Sequence, residues 1–171
     1  MSTSDLPRRL ICCVDGTYCT PDGPKGVGYG NITNTYRIFA SVKEGRCYDE
    51  VTQQEYIQEK IYEEGIGSAD DLRAWEKAIA GIRGEGFKNI IKKVYRRCCS
   101  LDDKDEVWLY GFSRGAYIVR AVAGLLYYIW ALRSAESAEF DAEYSRALRI
   151  YEDAERRAKS GPGQVAGCSA R

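Results

Sequence analysis

The sequence predicts an α/β fold of three layers, helices covering both faces of a parallel sheet, and three observations carry that reading. Short apolar runs alternate with longer stretches of helical periodicity along the 171 residues. Two of the runs, Leu10-Ile11-Cys12-Cys13-Val14 and Val107-Trp108-Leu109-Tyr110, are unbroken, as strands buried on both faces are. Each ends on a glycine-bearing turn, Asp15-Gly16-Thr17 in one case and Gly111-Phe112-Ser113-Arg114-Gly115 in the other. Strand C-termini are the edge on which α/β proteins place their ligand sites.

The elements follow in order. After the first strand, residues 19–31 carry Pro21, Gly23, Pro24, Gly26, Gly28 and Gly30 and form a loop. Thr33 or Asn34 caps a helix whose apolar positions include Tyr36, Ile38, Phe39 and Val42. The sequon Asn31-Ile32-Thr33 belongs to that helix start, since no secretory signal precedes it. Residues 56–63 read as a second strand around Ile57, Ile61 and Tyr62, closed by Gly65-Ile66-Gly67-Ser68. Helices are expected over 69–82 and 86–99, the latter with Phe87, Ile90, Ile91, Val94 and Tyr95 on one face. A charged turn over 102–106 leads to the third strand. A long apolar helix spans 114–132 and a polar one 136–159, with Phe140, Tyr144, Leu148 and Tyr151 in register. Right-handed crossovers then bring three strand C-termini to one edge. Residues 1–159 are assigned to the domain and 160–171, without periodicity, to a flexible tail.

Composition narrows the function. Lys+Arg and Asp+Glu are both 25 and no segment concentrates the basic residues, which argues against a nucleic-acid partner. A hydrophobic fraction of 44% with 29% charged residues is that of a globular protein. The first ten residues hold no apolar signal core, so a cytoplasmic protein is expected. The longest apolar stretch, 116–132, carries Arg120 and falls short of the roughly 20 residues of a membrane span, so it reads as a buried helix. The cluster Tyr127, Tyr128 and Trp130 reads most simply as core packing. Seven cysteines without a C-x-x-C pair, and without any histidine, argue for buried reduced thiols and against zinc. Glycines 26, 28 and 30 complete no phosphate cradle. No metal or other cofactor is expected.

The chemistry concentrates on the second turn. Gly111-Phe112-Ser113-Arg114-Gly115 fits G-x-S-x-G between a strand and a helix, the frame of the nucleophile elbow in α/β-hydrolases. Such a turn raises the Ser113 hydroxyl above the sheet edge, and the flanking Gly111 and Gly115 let strand and helix backbones pass. The helix N-terminus directs partial positive charge at a developing oxyanion, with the Arg114 amide as first donor. Asp15-Gly16-Thr17 ends a strand on the same edge, and the amide of Gly16 or Thr17 is the candidate second donor. The alternative is that Asp15 and Thr17 only satisfy turn amides. A serine nucleophile needs a base, and the histidine of the usual triad is absent. A Ser-Lys pair with Lys25, Lys43 or Lys60 has nothing in the sequence to fix its geometry.

Four motifs, in order, resemble one family: Val14-Asp15-Gly16-Thr17; Asn31-Ile32-Thr33-Asn34-Thr35-Tyr36-Arg37; Tyr62-Glu63-Glu64-Gly65-Ile66-Gly67; and Gly111-Phe112-Ser113-Arg114-Gly115-Ala116-Tyr117, with Arg120 and Ala123-Gly124 behind it. Over about residues 8 to 155 the chain resembles the α/β-hydrolase domain of the type VI secretion phospholipase effector-like family. The resemblance implies a serine hydrolase, a phospholipase in some members, with Ser113 as nucleophile. Members continue into a W-D-T-V-like strand and a later histidine, neither of which occurs here, so the expectation is the N-terminal part of an α/β-hydrolase fold. The expected function is hydrolysis of carboxylic esters, including phospholipid; the alternative is an inactive pseudo-hydrolase that binds a partner. The expected partners are a small ester or lipid, a membrane surface touched peripherally, and a second copy paired along an exposed sheet edge.

Overall fold

In the computed structural model, which describes residues 6–16, 19, 32–65, 85–133 and 135–159, β1 (Arg8–Val14) runs through the middle of a four-stranded sheet. It is followed by α1 (Asn34–Ser41), β2 (Gly45–Asp49), β3 (Gln54–Glu63), α2 (Glu85–Cys98), β4 (Glu106–Gly111), α3 (Arg114–Ile129) and α4 (Phe140–Lys159). The strand order is β2-β3-β1-β4. β1 pairs in parallel with β3, from Arg8 opposite Ile57 to Val14 opposite Glu63. It also pairs in parallel with β4, from Arg9 opposite Glu106 to Val14 opposite Gly111. Val14, Glu63 and Gly111 therefore end their strands side by side. Among the described residues the chain is a mixed α/β protein with a mostly parallel sheet and four helices.

The side chains of β1 alternate between two environments. Leu10, Cys12 and Val14 join Phe87, Ile91, Val94 and Tyr95 of α2, Ile118, Val122 and Leu125 of α3, and Phe140 and Tyr144 of α4 in one core. Each such large apolar side chain removed from water contributes about 1.5–3 kcal/mol. Ile11 and Cys13, also buried, neighbour Lys60 and Tyr62 of β3. There Lys60 Nζ donates to the carbonyls of Phe39 (3.1 Å) and Val42 (2.8 Å), a cation on the C-terminal end of α1. Thr33 caps the other end of that helix, its hydroxyl accepting from the Tyr36 amide at 3.0 Å. At the N-terminal edge of the sheet, Arg8 donates from its amide and Nε to Asp105 (2.7 and 2.9 Å), and Arg9 Nε to Glu106 (2.7 Å).

Two expectations are corrected. The sheet has a further strand, β2, antiparallel to β3 with Arg46 opposite Ile57 and Asp49 opposite Gln54. Its hairpin contains neither Gly nor Pro at the turn: the Asp49 carboxylate accepts from the Val51 and Thr52 amides (3.0 and 3.1 Å), and Gln53 takes a φ of 57°. The Tyr127, Tyr128 and Trp130 cluster is not core. These residues are 78%, 58% and 75% exposed, because the buried stripe of α3 runs through Ile118, Val122 and Leu125 instead. The expected helix over 69–82, the loop over 19–31 apart from Cys19, and the tail 160–171 lie outside the described residues. No helix among the described residues is long and apolar enough to cross a membrane.

Candidate active site

β4 stops at Gly111, and the ladder continues one step as the Phe112 amide donates to the Val14 carbonyl at 3.1 Å. The chain then reverses through Ser113, whose φ of 52° and ψ of −120° lie where glycine is at home and serine is not. Such backbone strain costs about 1–3 kcal/mol and persists only when the surroundings enforce it. The enforcement is visible in the next turn: Gly115 N donates to Phe112 O (2.8 Å) and Ala116 N to Ser113 O (3.0 Å). The Ser113 side chain makes no capping hydrogen bond and is exposed. Arg114 opens α3, so its amide precedes the intrahelical ladder.

The glycines are there for close approach. A Cβ on Gly115 would come within 2.1 Å of the Val14 carbonyl oxygen, so α3 crosses the end of β1 at backbone contact. A Cβ on Gly111 would meet the Gly115 carbonyl and the Ala116 amide at 2.6 Å. On the neighbouring strand end, a Cβ on Gly16 would lie 2.9 Å from the Ser113 Cβ and 3.1 Å from Phe112 Cδ1. Asp15, Gly16, Gly111, Ser113, Arg114 and Gly115 thus gather at one place. Thr17 lies outside the described residues.

Asp15 is 1% exposed, and its partners are hydroxyls. Its Oδ2 accepts from Thr33 Oγ1 and from the Tyr62 phenol, both at 2.7 Å, while its amide donates to Glu63 O at 2.9 Å. One carboxylate therefore ties the end of β1 to the start of α1 and the end of β3. Burial, with the hydrogen bond to Asp15 adding, pushes the Tyr62 phenol well above its ordinary range and keeps it a donor. Burial also raises the Cys13 thiol to about 11, with the charge of Asp15 adding. The rings of Tyr36 and Phe39 pack on Tyr62 at 5.2 and 5.3 Å. Thr33 and Tyr62 went unrecognised as partners of Asp15 from sequence. The available signal was the acid itself, which after a buried strand must find hydrogen bonds.

The lysines considered as bases divide. Lys60 is held by the carbonyls at the end of α1, and Lys25 lies outside the described residues. Lys43, beyond the end of α1, donates to nothing among the described residues, and its own carbonyl accepts from Gln58 Nε2 at 2.6 Å. The sequence contains no histidine. A large hollow of about 1010 Å³ lies between residues 99–104 and 130–136, at the opposite end of the sheet from Ser113, and has no part in this site.

Comparison with known proteins places this arrangement. No match is found among curated proteins or among solved structures. The family model described as T6SS, phospholipase effector Tle1-like, catalytic domain matches residues 8–167. That span takes in β1, the Asp15–Gly16 turn, the Ser113 elbow and α3 together, and the chain belongs to the T6SS phospholipase effector Tle1-like catalytic-domain family.

Proposed function

We propose that Ser113 is the nucleophile of a hydrolase acting on carboxylic esters of phospholipid, carried on the first part of a three-layer α/β-hydrolase fold. The observation that carries the reading is the conformation of Ser113, an exposed non-glycine residue held at positive φ between a strand and a helix, its side chain free of a capping hydrogen bond. Ser113 Oγ attacks the ester carbonyl, the carbonyl electrons move onto oxygen, and the Arg114 and Gly16 amides stabilise that charge. Collapse expels the alcohol, which takes up the proton from Ser113, and water then releases the acid from the acyl-serine. A lipid substrate also entails peripheral contact with a lipid surface.

Proton transfer needs a base, and histidine is missing from the sequence. That absence favours a second reading, a pseudo-hydrolase whose elbow survives as scaffold for binding. Chemical rescue separates the two. The purified chain and Ser113→Ala are compared on a short-chain aryl ester with increasing imidazole, which supplies the base from solution. Sites lacking triad members retain about 10³–10⁴-fold over water, so the expected basal rate is small. The nucleophile reading requires a rate that climbs with imidazole in the wild type beyond that of Ser113→Ala. Equal rates at every imidazole concentration, with both proteins folded, would discard it in favour of the binding role.

A further inference from the structure

α3 carries a stripe of residues that starts at the elbow and leads away from it. Positions 116, 117, 120, 121 and 124 follow Ser113 at +3, +4, +7, +8 and +11, so they share one side of the helix. Along that side lies a cavity of about 450 Å³ lined by Ala116, Tyr117, Arg120, Ala121 and, from α4, Tyr151. This is the size range of small-ligand sites. Gly124 shapes its far end: a Cβ there would stand 2.9 Å from the Tyr151 hydroxyl, so its absence lets the Tyr151 ring lie against the helix.

The charge of the lining is one-sided. Among the described residues it contains no carboxylate and one permanent cation, Arg120, which has no ion-pair or hydrogen-bond partner among them. Arg8, Arg9, Arg46, Arg97 and Arg156 each hold a carboxylate. Arg120 lies roughly 10 Å along the helix from Ser113, at about 1.5 Å per residue. Long helical side chains lean toward the N-terminus, the direction in which the elbow lies from Arg120. A planar guanidinium lining a cavity with two tyrosines, and with no counter-ion among the described residues, is suited to paired phosphate oxygens. In a glycerophospholipid the glycerol unit separates acyl ester from phosphodiester by only a few bonds, a spacing that a nucleophile and an arginine on one helix face can serve together.

We propose that this cavity is a phosphate subsite, in which Arg120 binds the phosphodiester of a glycerophospholipid whose acyl ester faces Ser113. The orientation rests on Ser113 as nucleophile; the binding does not. The full chain, Arg120→Gln and Arg120→Lys are titrated calorimetrically with monomeric dihexanoyl phosphatidylcholine, with dihexanoylglycerol as the phosphate-free match, and with inorganic phosphate. Arg120→Gln is expected to weaken phosphatidylcholine binding about tenfold or more, the loss of a charge-assisted pair, with Arg120→Lys in between. Dihexanoylglycerol affinity stays the same in the wild type and both Arg120 variants. Equal phosphatidylcholine affinity in Arg120→Gln and wild type, or no binding by the wild type, overturns the subsite. Inorganic phosphate bound as tightly as the lipid, and lost in Arg120→Gln, overturns the lipid assignment in favour of a free-anion site. Turnover is not read, so an inert Ser113 would fail the imidazole assay and leave this result standing.

Discussion

Gly16 lies directly against Ser113: a Cβ on the glycine would approach the serine Cβ to 2.9 Å and the Phe112 ring to 3.1 Å. The contact joins two strand ends that are far apart in sequence, and it leaves no room for a side chain at residue 16. Gly16→Ala must displace the Ser113 turn or the Phe112 ring. The expected cost is about 1–3 kcal/mol, as for overpacking in a tight core, read as a lowered denaturation midpoint. The imidazole-supported rate should fall about tenfold or more, since oxyanion donors act only at close range. An unchanged midpoint and rate would mean that the two turns are not in contact in solution.

Strain at Ser113 gives a second prediction with the opposite sign. Ser113→Gly removes the side chain that disfavours a φ of 52°, whereas Ser113→Ala keeps a Cβ there. Ser113→Gly should therefore be more stable than Ser113→Ala by about 1 kcal/mol, although glycine ordinarily lowers stability. Denaturant titration of both variants measures the difference, and a less stable glycine variant would refute the backbone geometry.

The carboxylate of Asp15 holds two hydroxyls in a buried place. Asp15→Ala strands both and should cost about 3–5 kcal/mol. Tyr62→Phe alone removes one donor, and the double variant should be less destabilised than the sum of the singles by about 1–3 kcal/mol. Additive losses in the double-mutant cycle would show that the hydrogen bond does not exist.

Alkaline pH should loosen the protein. Burial raises the Cys13 thiol to about 11, and it raises the Cys19 and Cys99 thiols as well. In the unfolded chain these thiols ionise near their ordinary value of 9.0. Below that pH both states hold the proton and stability is level. Above it the unfolded state loses protons first, so stability declines, for Cys13 until about pH 11, by roughly 2–3 kcal/mol in all. Unfolding midpoints at pH 7.5 and 10.5 test this. Cys13→Ala should flatten the decline, and an identical slope in that variant would argue against the assignment.

What was legible in the sequence was local. Leu10 to Val14 and Val107 to Tyr110 announce strands by their unbroken apolar runs, although in β4 Trp108 is 46% exposed rather than buried. The strand–turn–helix sequence is written contiguously around Gly111 to Gly115. For the cap of α1 the sequence leaves Thr33 and Asn34 open, and the Thr33 hydroxyl, one residue before the helix, takes the role. What was not legible depends on partners distant in the chain. β2 is short, carries Arg46 and Asp49, and turns without Gly or Pro, so only its pairing with β3 reveals it. Tyr127, Tyr128 and Trp130 look like core residues by type; which way each faces depends on where α2 and α4 press on α3. Tyr62 and Thr33 meet Asp15 across 47 and 18 residues, a coincidence that no local pattern encodes.

The central place of β1 also sets a timetable for folding. Its hydrogen-bond partners are β3 and β4, and the ion pairs that fix its register on β4 join residues 97 apart, Arg8 to Asp105 and Arg9 to Glu106. Closing loops of that length delays the pairings that depend on them. During synthesis the Asp15–Gly16 turn emerges early and can meet Thr33 and Tyr62, yet Ser113 and Phe112 cannot lie against Gly16 until β4 and the first turn of α3 have left the ribosome. A nascent chain stalled before residue 111 should hold Gly16 accessible on the side that Ser113 covers, and the Ser113 turn should be among the last features to acquire protection from hydrogen exchange.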